Sequence, residues 1–268
     1  MKVPRNLVRT SRSLSAVIFI RYSLREGFVR SLSTTSPPLH RTFAFYKPDG
    51  YLSQFVNNGQ IKKRQRMIGE LFDRSTPGRN ATAHFSGLMT IGRLDEMSEG
   101  LLLVTTDGAL SHYVNTGGIE KEYYAQLDGL ITKDAARELE FGVDISTKSG
   151  GGGDPYRTFP CRVVLLKKET TDNLPPRRKK IRDDRHGPTS WISITLREGK
   201  NRQVRRMTAA IGFPTLRLIR VRVGCICLFG AGDQDGSRGD IRKIQIIPGE
   251  FQELGKDELS ALKTSGPF

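Results

Sequence analysis

An arginine and an aspartate stand two residues apart in Gly92-Arg93-Leu94-Asp95, just ahead of the apolar and β-branched run Leu101–Thr105. A lone carboxylate at the entrance of a buried strand can act as a base, a nucleophile or a stabiliser of developing positive charge. The same two residues can equally form an exposed ion pair of small energetic value. A second stretch, REGKNRQVRRMTAAIGFPTLRLIRVRVG (197–224), is rich in guanidinium groups. Within it Val204, Met207 and Ile211 recur at helical spacing and predict a core-facing stripe. Arg202 and Arg206 then share another face, and Arg205 borders the apolar edge. Lys200 and Asn201 precede the helix, where free backbone N–H groups and the positive dipole end suit a phosphate. The following strand adds Arg217, Arg220 and Arg222 with no acid between them. A charge run is often only a solvated face, but two adjoining basic elements point to RNA or DNA.

Other chemistries find little support. No P-loop, no H-E-x-x-H and no base-deaminase zinc signature is present. Asp233-Gln234-Asp235 hints at a calcium loop, yet its twelfth position is Ile244 rather than glutamate. Ser260 to Lys263 fits S-x-x-K without its companion motifs. The three cysteines (Cys161, Cys225, Cys227) cannot form a disulfide framework, and the four histidines lack ligand spacing. No metal site is expected.

The elements that must position these residues lie in a chain of 268 residues with a net charge of +15. Residues 1–40 carry seven Lys or Arg and one acid, so +9 remains on the rest. A polyanionic partner is expected of the folded part itself. The first forty residues are Arg-rich, Ser-rich and acid-poor, as in an organellar transit peptide, with mitochondrion preferred over chloroplast. The apolar run LSAVIFI is too short to span a bilayer, and no membrane association is expected. Strands are predicted at FAFYKP, Leu101–Thr106, KEYYAQL, Cys161–Lys167, WISITL, Thr215–Val223 and Ile241–Ile247. Helices are predicted at RMIGELF, ALSHYVN, KDAARELE (capped by Thr132) and Asn201–Ile211. Strands outnumber helices without βαβ alternation, so the fold class is α+β with a mixed, largely antiparallel sheet flanked by helices and loops. One domain over 41–250 is predicted, with a basic loop at 175–188. Residues 251–268 read as a peripheral tail, and the protein as a monomer.

Taken together, GRLDEMSEGLLLVTTDG, KEYYAQLDG and LREGKNRQVRRMTAAIGFPTLRLIR resemble the bacterial ribosomal-RNA pseudouridine synthases of the RsuA/RluE type. The likeness runs from about Phe43 to Glu250 and favours the RluE branch, which acts on large-subunit rRNA. It implies the pseudouridine synthase fold and isomerisation of a uridine within RNA, without a cofactor. It also assigns roles. Asp95 is the essential carboxylate, either capturing C1′ or removing the C2′ proton. Tyr123, from Lys121-Glu122-Tyr123, is expected to relieve C5 of its proton, in preference to Tyr124 on the opposite strand face. Arg205 is expected to pair with Asp95 and hold it charged. Arg93 is expected to help evert the target nucleotide, and Leu218 to line the base pocket. Lys200, Asn201, Arg202, Arg206 and Arg217 are expected to hold the RNA. The S4-type N-terminal domain of many relatives is absent from the sequence, and the basic loop is either a substitute source of RNA affinity or a solvated loop. The competing reading is a non-catalytic RNA-binding ribosome-assembly factor that retains the fold.

Overall fold

Strand-forming runs with both faces apolar dictate the middle of the molecule. The computed structural model describes residues 40–56, 65–74, 86–146, 154–181, 186–229 and 241–266. The expected transit peptide, Asp233 and Asp235, most of the glycine-rich loop at 149–155 and residues 182–185 of the basic loop lie outside the described residues.

The chain begins with β1 (Thr42–Lys47), β2 (Tyr51–Leu52), β3 (Arg66–Met67), α1 (Gly69–Arg74), β4 (Met89–Thr90) and β5 (Glu99–Thr105). It continues with α2 (Gly108–Thr116), β6 (Lys121–Asp128), α3 (Lys133–Phe141), β7 (Asp144–Ser146), β8 (Pro155–Arg157), β9 (Arg162–Leu165) and α4 (Lys168–Asp172). Then come β10 (Thr189–Leu196), α5 (Gln203–Ala210), β11 (Thr215–Val223), β12 (Ile226–Leu228), β13 (Arg242–Ile244), β14 (Phe251–Glu253) and α6 (Lys256–Thr264). Asp107 and Thr132 cap α2 and α3 by accepting backbone N–H groups.

Among the described residues the main sheet has ten strands, with the order β14-β1-β5-β11-β6-β10-β9 along its principal path. β5 and β11 run parallel, as do β12 and β13, and the other pairs are antiparallel. This is the mixed, largely antiparallel α+β arrangement expected. The alternation of side chains divides the core. Leu101 and Leu103 of β5 join Ala44, Tyr46 and Tyr124 in one apolar cluster, while Leu102 and Val104 join Phe45, Phe72 and Leu94 in another. A third cluster packs Ala125, Leu127, Ile192 and Leu218 against Val204 and Met207 of α5. The helical stripe read from the sequence is therefore core. Gly100 allows β5 to meet β11: its φ is +101°, and a Cβ there would lie 2.2 Å from the Arg220 carbonyl oxygen.

The segment after Glu250 corrects the expected peripheral tail. Strand β14 pairs with β1, Phe251 stacks on Phe72 at 4.5 Å, and Arg41 makes an ion pair with Glu253 at 2.7 Å. On α6, Leu262 is fully buried in the core, and the Tyr113 hydroxyl donates to the Lys263 carbonyl. The domain therefore extends through the last described residues.

Candidate active site

Asp95 sits in the turn between β4 and β5, and that turn is fixed from below. The Ser98 amide donates to the Asp95 carbonyl (3.0 Å), and the Gly50 amide to the Glu96 carbonyl (2.8 Å). Ser53 Oγ donates to the Leu94 carbonyl and accepts from the Leu94 amide. The fully buried Lys47 donates its three ammonium hydrogens to the carbonyls of Pro48, Glu96 and Ser98 at 3.1, 3.2 and 2.8 Å. Burial lowers the Lys47 pKa to about 7, against the upward pull of Glu99, Asp49, Asp95 and Glu96. The stretch Lys47-Pro48-Asp49-Gly50-Tyr51-Leu52-Ser53 thus fastens the aspartate loop. The sequence marked it only as a strand end and turn.

Above the turn opens a cavity of about 440 Å³, within the size range of small-molecule sites. Its wall includes Arg93, Asp95, Tyr123, Lys200, Asn201, Arg202 and Leu218, so seven of the residues named from the sequence meet here. Tyr123 faces the cavity while Tyr124 is buried in the apolar cluster behind it, as strand alternation requires. Leu218 is both core and cavity wall.

Two expectations need correction. Asp95 takes its ion pair from Arg202, Nη1 to Oδ2 at 3.3 Å, and not from Arg205. Arg205 instead donates Nη1 to the Thr215 carbonyl (3.1 Å) and reaches Ser98 Oγ with Nη2 (3.4 Å). It lies half-buried beside the aspartate; burial first, then Arg202, lowers its pKa, and Asp95 raises it. The cause is helical geometry. Arg202 enters α5 in a left-handed conformation (φ 52°) that throws its side chain across the cavity mouth, whereas Arg205, one turn on, is turned toward β11. Secondly, Arg217 is buried and forms a two-pronged pair with Glu99 at 2.9 and 3.1 Å, with the Pro175 carbonyl as a further acceptor. It is not an RNA-facing cation. Arg206, half-buried, donates Nη2 to Asn201 Oδ1 (3.1 Å) and lies beside the cavity rather than in its wall.

The described part of the basic loop is likewise anchored. The Arg178 and Lys179 amides donate to the Asp49 carboxylate, and Arg177 lies 3.2 Å from Glu99 and donates to the Met97 carbonyl. Sequence reasoning also passed over Lys121, Arg220, Asn115, Glu198 and Gln203 as wall residues. Lys121 was visible in its motif, and Arg220 only as one more strand cation.

The arrangement offers the partly exposed Asp95 carboxylate, a tyrosine hydroxyl, apolar faces for a planar base and cationic groups for the strand that carries it, while Glu198, the other wall carboxylate, is bonded to Tyr156, Phe159 and Gln203. Known proteins agree with this chemistry. The family described as RNA pseudouridylate synthase matches residues 41–210. Ribosomal large subunit pseudouridine synthase E of Xanthomonas axonopodis pv. citri (strain 306) is 36% identical over 169 residues, 61% of this chain and 84% of that protein. The protein of the same name in Vibrio parahaemolyticus serotype O3:K6 (strain RIMD 2210633) is 33% identical over 220 residues, covering 80% and 74%. Ribosomal large subunit pseudouridine synthase B of Bacillus subtilis (strain 168) is 30% identical over 214 residues, covering 79% and 70%. Among solved structures, a pseudouridylate synthase superposes with a TM-score of 0.58 at 23% identity, covering 85% of this chain and 76% of that one, a likeness of fold. With the match reaching from the strand above Lys47 through the helix of Arg205, and the aspartate cavity inside it, the chain belongs to the RNA pseudouridylate synthase family.

Proposed function

We propose that this enzyme converts a uridine of organellar large-subunit rRNA to pseudouridine, with Asp95 as the reacting carboxylate. The observation that carries the reading is the meeting of Asp95, Tyr123 and Leu218 in one cavity whose mouth is lined by Arg93, Lys200 and Arg202. The N1–C1′ bond breaks with its electron pair on uracil, C5 bonds to C1′, and the C5 proton leaves. Nothing is oxidised or reduced, so the balance needs no cofactor. As the base departs, C1′ becomes cationic, and Asp95 either captures it or removes the C2′ proton to give a glycal. Tyr123, on the cavity-facing side of β6, takes the C5 proton. Arg202 orients the Asp95 carboxylate through their ion pair. Arg205 is a positioning residue that ties β11 to Ser98 of the aspartate turn. Arg93, exposed at the cavity edge, fills the gap left in the everted strand.

Large-subunit rRNA as the target rests on the names of the relatives in Xanthomonas, Vibrio and Bacillus. The organelle, mitochondrion before chloroplast, rests on the Arg-rich, acid-poor composition of residues 1–40. The test is to map pseudouridines in organellar rRNA with and without the protein. One large-subunit uridine that stays unmodified without it is expected, and an unchanged map contradicts the reading.

A further inference from the structure

Two buried cations of the cavity wall, Lys121 and Arg220, form no ion pair among the described residues, although Asp95 and Glu198 line the same cavity. Lys121 is 9% exposed and Arg220 is 3% exposed, and both belong to the cavity wall. Strand register explains their meeting. Arg220 of β11 stands opposite Tyr123 of β6, and Lys121 lies two residues from Tyr123 on the same face. The irregularity between Arg220 and Arg222 inserts one residue, so Arg222 stands opposite Glu122 and turns to the other face of the sheet. There it finds carboxylates: Arg222 bonds Glu122 and Glu120, each at 2.9 Å. Arg217 has Glu99, and Arg177 has Glu99 and Asp49. Neither Lys121 nor Arg220 makes such a pairing among the described residues. Arg220 Nε donates to the Leu101 carbonyl, and its Nη2 has no hydrogen-bond partner. Lys121 donates to the carbonyls of Val114 and Ile119, which leaves one of its three ammonium hydrogens. Burial and, after it, the charge of Arg220 lower the Lys121 pKa to about 8.

Burying two like charges together is costly unless a ligand of opposite charge completes the site. We propose that Lys121 and Arg220 are catalytic residues that hold the detached uracil as an anion while it turns from its N1 to its C5 linkage. This rests on the isomerase reading above. When the N1–C1′ bond breaks, the electron pair spreads over N1, O2 and O4, and the base carries a full negative charge until C5 attacks C1′. Fixed cations beneath it stabilise that charge where it develops, without reorganisation. Their buried position favours the base over a phosphodiester, because Lys200 and Arg202, the exposed cations, stand at the mouth. Tyr123, the acceptor of the C5 proton, lies directly across the register from Arg220.

The test measures single-turnover conversion and RNA affinity separately, with folding checked by circular dichroism. Lys121→Met and Arg220→Gln are each expected to slow conversion about 10²-fold at nearly unchanged Kd. Lys121→Arg and Arg220→Lys, which keep the charge, are expected to restore much of the rate. Weaker binding at an unchanged rate, with the salt slope reduced by about one, makes the pair a phosphate subsite and overturns the assignment. So does equal impairment by charge-keeping and charge-removing variants, which marks a structural role. A wild-type chain that leaves uridine unconverted overturns the activity itself; an active wild type with unaffected variants overturns only the role of the pair.

Discussion

Lys47 has no solvent exposure, and each of its ammonium hydrogens reaches a carbonyl in or beside the turn that carries Asp95. An amine that is fully protonated makes all three bonds; a neutral one makes two. Burial nevertheless lowers its pKa to about 7 from an ordinary value near 10.5. Between these two values the unfolded chain binds more protons at this position than the folded chain does. The contribution of Lys47 to stability therefore increases as pH rises through that window, and it is least below about 7. Lys47→Arg stays charged throughout. The stability of wild type relative to that variant, measured by urea denaturation, is expected to increase between pH 7 and pH 10. Parallel pH profiles contradict this account of the residue.

At the scale of elements, β11 decides which arginines serve the site. Arg217 lies across from Gln126 and Leu218 across from Ala125, so the two side chains leave opposite faces of the sheet. Leu218 reaches the cavity; Arg217 reaches Glu99 on the far side. Removing Arg217 strips the buried Glu99 of its two-pronged partner and leaves Arg177, shared with Asp49, as its remaining cation. Arg217→Gln is expected to destabilise the fold by about 2–3 kcal/mol, below the cost of leaving a buried charge wholly unpaired, while the salt slope of RNA binding stays as in wild type. A flatter slope with unchanged stability contradicts the assignment. The same strand shows what the sequence could and could not reveal. Core positions were legible because Val204, Met207 and the run Leu101–Val104 carry their period in the chain. The partners of Arg217 and Arg222 were not, since Glu99, Glu120 and Glu122 lie about a hundred residues away and meet them only through sheet order. The irregularity after Arg220 leaves no mark in composition. β14 and α6 escaped notice because a three-residue strand has little periodicity, and the burial of Leu262 depends on the cluster that receives it.

For the whole molecule, the net charge of +15 is not a uniform coat. Arg217, Arg222 and Arg177 are spent inside against acids. Five cations line the cavity, with Arg93, Lys200 and Arg202 at the mouth and Lys121 and Arg220 beneath. The outer cations suit the RNA backbone, and the inner pair suits the base once it is released as an anion. The site centres on one carboxylate in a turn clamped by Lys47, Gly50 and Ser53. The most direct measurement is tritium release from large-subunit rRNA labelled at uracil C5, comparing wild type with Asp95→Asn. Wild type is expected to release the label, and the variant to release none while still binding the RNA. Equal release by the two proteins contradicts the account.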